Sequence, residues 1–232
     1  MGAGDAVVLS GGVAHDFPAT SARVAEVLAG AGFAPQVTED VDAFLAGLSP
    51  DGRGPLVVLD MLRWTMTAGR YADQRERWGL SLSAAARAGL DAHVRGGGGL
   101  LALHGASICF DDWPGWADLL GATWRWGTSG HPPLGPVRVA VRTGAHPVVE
   151  GVGDFDVVDE VYSSLDVADD VQPLMTAAPE GVPQPLLWAR TVGRGRVVYD
   201  ALGHHPPSYD VADHVRIVQR AARWAAGLLP PP

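Results

Sequence analysis

Cysteine is almost absent: Cys109 is the only one in 232 residues. A single thiol cannot close an internal disulfide, and it rules out a cysteine-based zinc cluster. Basic charge is also scarce. Against 26 Asp and Glu stand only 17 Lys and Arg, a formal net charge of −9. Nucleic-acid binders need a concentrated basic surface, so no nucleic-acid partner is expected. No uninterrupted apolar run is long enough to span a bilayer, so no membrane partner is expected either. The start, Met1 to Asp5, has neither the basic segment nor the apolar run of a leader peptide, which sets the expectation of a cytoplasmic protein.

What the chain has is core material. Hydrophobic residues make up 47% and charged residues 19%, an ordinary globular balance with enough length for a large α/β domain. No repeat, low-complexity tract or linker divides it, so one domain over residues 1–232 is expected. Several of the histidines fall where strands are expected to end.

The pattern is organised around Arg95-Gly96-Gly97-Gly98-Gly99-Leu100-Leu101-Ala102-Leu103-His104-Gly105-Ala106. Glycine can adopt the backbone angles that end a helix. The apolar run after the glycines fits a strand buried on both faces of a parallel sheet. Ligands of open α/β sheets sit beyond the carboxyl ends of the strands, where His104 falls. The small residues beside it suit a sharp turn and close approach of a substrate. The alternative is a histidine satisfied by backbone hydrogen bonds at a tight turn.

Ala6 to Leu9 reads as a first buried strand. The loop after it, Ser10-Gly11-Gly12-Val13-Ala14-His15-Asp16, lacks the third glycine of a dinucleotide-binding turn. His15 and Asp16 are either a helix-entry cap or one wall of a site. Helical spacing covers residues 23–30, a strand covers 33–38, a helix 41–48 and a strand 56–59, with Asp60 at its end. Residues 61–79 are expected to be irregular, as a lid, binding loop or interface. Leu82, Ala86, Leu90 and Val94 form one helical face, with Ser81 as the cap. Trp113, Trp116, Trp124 and Trp126 either stack on sugar faces or pack an edge, and the usual role of aromatics in cores and interfaces favours packing. Strands are expected at 137–141, 155–162 and 171–175. A hairpin is expected where residues 186–192 and 196–202 flank Gly193-Arg194-Gly195. A last helix carries Val211, Val215, Val218, Ala222 and Ala225. His146 and His205 read as turn or surface residues. Strand–helix alternation, then a β-rich half, then a closing helix implies an α/β domain whose mainly parallel sheet has an antiparallel extension.

These motifs resemble the ThuA-like family, named for trehalose utilisation. The matching pieces are Gly12-Val13-Ala14-His15-Asp16, Gly97-Gly98-Gly99 with Leu103-His104-Gly105-Ala106, Gly130-His131-Pro132 and His146-Pro147-Val148. Further matches are Asp159-Glu160-Val161-Tyr162, Gly193-Arg194-Gly195-Arg196-Val197 and Ala201-Leu202-Gly203-His204. The resemblance implies a class I glutamine amidotransferase-like fold, a three-layer flavodoxin-like sandwich. In that fold a cysteine follows the central strand; here His104 takes its place and Cys109 lies five residues on. Thiolate attack needs a cysteine with a histidine in reach, so glutamine hydrolysis is not expected.

The resemblance also implies a small-molecule carbohydrate partner, a disaccharide handled through 3-keto intermediates. His104, Glu160, His15 and His204 are the candidate catalytic residues, with His104 or Glu160 as the base. Asp16, His131, Asp60 and Tyr162 are candidate substrate-binding residues. His15, His104, His131 and His204, with Glu160 as a further ligand, form a candidate site for zinc or another divalent metal, because neutral imidazoles with one carboxylate suit such ions. Without a metal, the same histidines supply acids and bases near neutral pH. Two other readings stay open. One is a non-catalytic sugar-binding or regulatory domain. The other is a homo-oligomeric subunit with the tryptophans at its interface.

Overall fold

Runs of apolar residues without alternation need cover on both faces, and they form the middle of a sheet. A computed structural model describes residues 4–232. Met1 to Ala3, the first part of the stretch read above as lacking leader character, lie outside the described residues. Strands β1 (Gly4–Gly12), β2 (Phe33–Thr38), β3 (Leu56–Leu62) and β4 (Gly99–Leu103) alternate with helices α1 (Phe17–Gly30), α2 (Val41–Ala46), α3 (Ala72–Trp78) and α4 (Ala84–Arg95). Every residue of β3 and β4 is buried. Helix α5 (Pro114–Leu120) precedes the β-rich half: β5 (Ala122–Thr123), β6 (Gly135–Val141), β7 (Phe155–Asp159), β8 (Asp166–Val167), β9 (Met175–Ala177), β10 (Gln184–Val192) and β11 (Gly195–Asp200). Helix α6 (Ala212–Ala225) closes the chain.

The main sheet has the order β2-β1-β3-β4-β11-β10-β9-β6-β7. Its first five strands are parallel, with Leu9 beside Leu59 and Val57 beside Leu100. Counted along the chain, these five follow the flavodoxin-like order 2-1-3-4-5. The remaining pairings are antiparallel. Strands β5 and β8 form a separate pair. Helices α1 and α6 touch each other on one face of the sheet, while α2, α4 and α5 are in contact on the other. The expected α/β sandwich with an antiparallel extension is thus present. Parallel pairing stops at β11, because β10 returns through the tight Gly193-Arg194 turn and a turn that short can join only antiparallel strands.

Local differences have local causes. Strand β3 runs to Leu62, and residues 69–78 are helical, so the 61–79 stretch is more ordered than expected. Its helix α3 buries no side chain. Arg75 holds it by donating to the carbonyls of Met66 and Thr67 at 2.7 and 2.9 Å, contacts that hydrophobic periodicity cannot reveal. Ser83, not Ser81, caps α4 by accepting from Ala86 N at 3.1 Å, whereas Ser81 donates to Asp112. The strand expected at 171–175 starts at Met175. His146 is buried rather than exposed, and desolvation with the nearby Arg196 charge lowers its pKa to about 4.

Asp60, a candidate substrate-binding residue, instead belongs to the core. It is 2% exposed and accepts hydrogen bonds from Thr20 Oγ1 at 2.9 Å and Ser21 Oγ at 2.7 Å, which tie β3 to α1. The two hydroxyls favour the charged form, but burial outweighs them and raises the pKa to about 6. A raised folded-state pKa makes the contribution of Asp60 greatest below its unfolded value of 3.8, and that contribution is lost as pH rises through about 6. Asp60→Asn keeps an acceptor for both hydroxyls and cannot ionise. Its unfolding free energy relative to the parent is expected to improve from pH 4 to pH 8, by about 1–3 kcal/mol at the alkaline end. Urea unfolding at both pH values measures this, and a difference independent of pH would contradict it.

Candidate functional site

Four loops meet at one rim of the sheet because four strands point there. His15 follows β1, His104 follows β4 and His204 follows β11. Four antiparallel steps lead from β11 to β7, so β7 again runs with the parallel strands and delivers Glu160 to the same rim. The backbone is specialised at these exits. His104 has φ +33°, a left-handed conformation uncommon for a residue with a side chain. Gly12 has φ +136°, and a Cβ there would lie 2.2 Å from the Leu62 carbonyl oxygen. The tight space at Gly105 is filled by the β3 backbone, since a Cβ would come within 2.9 Å of Met61 O. Its small size therefore serves packing and not substrate approach.

The three imidazoles converge. Ring centroids are 4.4 Å apart for His15 and His204, 5.1 Å for His15 and His104, and 5.3 Å for His104 and His204. One donor atom from each of His15, His104, His204 and Glu160 lies within 4.8 Å of all the others. His104 Nδ1 donates to Ala201 O at 2.7 Å and His15 Nδ1 to Val13 O at 3.1 Å. A carbonyl only accepts, so these contacts assign the protons to Nδ1 and leave Nε2 with the lone pair. His15 Nε2, His104 Nε2 and His204 Nδ1 are buried and have no hydrogen-bond partner among the described residues. His204 Nδ1 does approach Glu160 Oε2 to 3.1 Å, but off the direction of a hydrogen bond. Burial, reinforced by the neighbouring rings, takes the His104 pKa well below its ordinary value, and burial lowers that of His15. Burial opposes ionisation of Glu160, but the His204 and His131 rings more than compensate and lower its pKa. Near neutral pH the site therefore joins neutral His104 and His15 to a carboxylate.

Buried polar groups behind the site hold these loops. The Asp159 carboxylate accepts from Gly203 N at 2.8 Å, His204 N at 3.1 Å and Ser208 Oγ at 2.5 Å, locking β7 to the loop after β11. Asp200 accepts from Leu202 N at 3.0 Å and pairs with His214 Nε2 at 3.1 Å, while His214 Nδ1 donates to Ser208 O at 2.8 Å. Burial opposes the charge on His214, yet Asp200 and these bonds raise its pKa. Tyr199 donates to the His104 carbonyl at 2.8 Å. The sequence reading did not single out Asp159, Asp200 or His214 as functional. The available signal was polar residues at the ends of apolar strands and a histidine on the apolar face of the last helix.

A cavity of about 450 Å³ opens over the cluster, lined by His15, His131, Glu160 and His204 with Trp64, Trp124, Trp126, Tyr71 and Tyr162 among its walls. A second hollow of about 450 Å³ shares Trp64, Tyr71 and Trp126 with it. The larger hollow of about 670 Å³ beside β6 has no imidazole in its wall. His104 does not line the cleft. It is 2% exposed and packs under Tyr162, with centroids 4.3 Å apart. His131 is not one of the four clustered donors; it stands at the rim, 39% exposed, with Nδ1 3.4 Å from Glu160 Oε2. Glu160 takes the fourth place expected for His131. Asp16 lies outside the cleft and caps α1 by accepting from Ala19 N at 3.2 Å. The tryptophans divide. Trp116 is wholly buried, Trp113 is partly buried against the core, and Trp124 and Trp126 face the cleft. Cys109 is buried beneath the site, donates to Met61 O, and has its pKa pushed up to about 12 by burial.

A family model described as trehalose utilisation, ThuA, matches residues 5–225. No curated protein matches the chain. Among solved structures, a ThuA-like protein from Parabacteroides merdae is 19% identical, covering 96% of this chain and 89% of its own, with a TM-score of 0.76. A cytoplasmic protein from Salmonella typhimurium is 15% identical, covering 96% of this chain and 98% of its own, with a TM-score of 0.64. A β-galactosidase from Bacillus circulans is 14% identical and has a TM-score of 0.59; the match covers 97% of this chain but 31% of that enzyme. At these identities the structural likeness is one of fold. No helix among the described residues is long and apolar enough to cross a membrane.

His214 supplies a direct test of the support behind the cleft. His214→Ala leaves Asp200 buried without its cationic partner, which is expected to cost about 3–5 kcal/mol of stability. Removing the rim ring in His131→Ala is expected to change stability by less than about 0.5 kcal/mol. Denaturant unfolding of the two variants checks the contrast, and equal losses would refute it.

Proposed function

Because the chain belongs to the ThuA, trehalose utilisation, family, we propose that its histidine-floored cleft binds a carbohydrate and transfers protons on it. One observation carries the reading: three imidazoles and a carboxylate from distant parts of the chain meet at the foot of an aromatic-walled cavity. Trp124 and Trp126 offer flat apolar faces to sugar C–H surfaces, Tyr162, 2% exposed, backs them against His104, and His204 at the floor reaches the sugar's hydroxyls.

The reaction that suits these groups is removal of a proton from the carbon beside the carbonyl of a keto-sugar. The C–H electron pair becomes the C=C of an enolate, and the carbonyl π pair moves onto oxygen. Collapse of that enolate returns the proton elsewhere, giving isomerisation, or, when the glycosidic oxygen is β to the carbonyl, breaks its bond to carbon and expels it as an alkoxide that takes up the abstracted proton from the base. His104 is too deep to reach a substrate carbon, so proton transfer falls to the rim. There Glu160 orients His131, whose Nδ1 faces Glu160 and the Pro132 carbonyl, leaving Nε2 as the proton acceptor. Cys109, buried with its proton held, favours chemistry other than thiolate attack. The enolate oxygen needs a cationic or proton-donating partner. The unpartnered lone pairs on the floor do not supply one.

Purified protein is expected to turn over 3-keto-disaccharides. Glu160→Gln and His131→Ala are each expected to lower kcat about 100-fold or more with KM nearly unchanged, the size of a lost acid–base contribution. Trp126, 46% exposed between the two hollows, is expected to act on binding instead. Trp126→Ala should raise KM for a two-ring substrate about fivefold, with kcat unaffected. Steady-state kinetics separates these effects. Saturable binding without turnover would support a sugar-binding domain instead, and parental rates in both Glu160→Gln and His131→Ala would reject the assignment of roles.

A further inference from the structure

Four electron-pair donors turned toward one another, all within 4.8 Å, are an unfavourable arrangement in a buried place. Neutral imidazoles repel one another weakly through their lone pairs, and each unpartnered buried nitrogen forfeits its hydrogen bonds with water. Three such atoms, His15 Nε2, His104 Nε2 and His204 Nδ1, occur together at this floor. The groups around them fix the rings in that orientation. Ala201 O holds His104 from behind, Val13 O holds His15, and Asp159 holds the backbone of His204. A carbonyl behind an imidazole is the arrangement that keeps a metal-ligating tautomer in place.

We propose that His15, His104, His204 and Glu160 hold a divalent transition-metal cation at the floor of the cleft. This goes beyond the carbohydrate reading and does not depend on it. Three neutral nitrogens with one carboxylate give a site with a net charge of +1 when filled, which removes the repulsion among the donors. The donor set suits zinc or a neighbouring first-row ion. It does not suit magnesium or calcium, which take oxygen ligands. His15, Glu160 and His204 line the cavity while His104 backs it from below, so an ion among them is reached from the cleft and not sealed off. Four protein ligands fill a tetrahedral shell, so contact with a substrate oxygen takes a fifth position on the cleft side, an expansion that catalytic zinc centres make. His131, 39% exposed and outside the donor group, remains free to exchange protons. The cation is then the partner for oxygen charge that the protein groups alone do not provide.

The test is binding of zinc alone to chelator-stripped protein, followed by calorimetry and by the shift in melting temperature, with magnesium as the control. The expected result is one zinc ion per chain with submicromolar affinity, a higher melting temperature, and no response to magnesium. His15→Ala and His204→Ala, both in loops, are expected to weaken zinc binding about tenfold or more. His104→Asn, chosen because asparagine tolerates a left-handed backbone, is expected to do the same. His131→Ala and His146→Ala are expected to bind zinc as the parent does. Circular dichroism of each stripped variant confirms that it is folded. Failure of the parent to bind zinc would overturn the proposal. So would binding unchanged by both His15→Ala and His204→Ala, or lost in His131→Ala. Keto-sugar turnover plays no part in these readouts, so failure of the carbohydrate reading leaves this result interpretable.

Discussion

Everything at the rim depends on Asp159. Its carboxylate draws two backbone N–H groups and the Ser208 hydroxyl toward itself, and it does so from the end of a strand that lies four pairings away from β11 in the sheet. Hydrogen bonds to an ionised acceptor are roughly twice as strong as neutral ones. This one residue closes the antiparallel half of the sheet onto the parallel half. Glu160, its chain neighbour, is thereby brought against His204. Without that closure, the histidines after the parallel strands would form an incomplete cluster with no carboxylate.

Behind the clamp lies a second, buried electrostatic pair. Asp200 and His214 are both inaccessible to solvent, and each has further hydrogen bonds that satisfy its remaining polar atoms. A buried ion pair of this kind stabilises little relative to apolar packing, but it is costly to break. Its consequence is positional. The Ala201 carbonyl that sets the tautomer of His104 lies one residue after Asp200, and His204 lies four residues after it. Tyr199, from the same strand, reaches the His104 backbone from below. The left-handed His104 is therefore held on two sides, by Ala201 and Tyr199. A strained backbone persists only where its surroundings over-determine it.

The aromatic residues show how one sequence signal can serve two purposes. Trp113, Trp116, Trp124 and Trp126 lie within fourteen residues of one another. Trp116 donates its indole N–H to Ala106 O inside the core. Trp124 and Trp126 come after the turn at Gly121, where φ is +84°, and emerge beside the cleft. Composition identifies bulky apolar surface in this segment. The turn decides which half is buried and which half meets a ligand.

Much of the architecture was legible in order along the chain. The apolar runs of β1, β3 and β4 contain no alternation, which requires cover on both faces, and the helical repeats between them supply that cover. The glycines before β4 and the hairpin at Gly193-Arg194 are local signals with local meaning, and so are histidines placed just past strand ends. Other features needed the third dimension. Asp60 and Asp16 have the same residue type and both follow apolar runs in the sequence, yet Asp60 lies within β3 under two hydroxyls and Asp16 caps a helix. Glu160 replaces His131 among the clustered donors because β7 ends one residue earlier and His131 stays at the rim. The sequence by itself determined the strands and helices of the parallel half, because backbone preference and hydrophobic period act over a few residues; α3, which buries no side chain, carried no such signal. Only the tertiary structure decided which side chains face one another, because that depends on strand order and on buried hydrogen bonds between residues far apart in the chain.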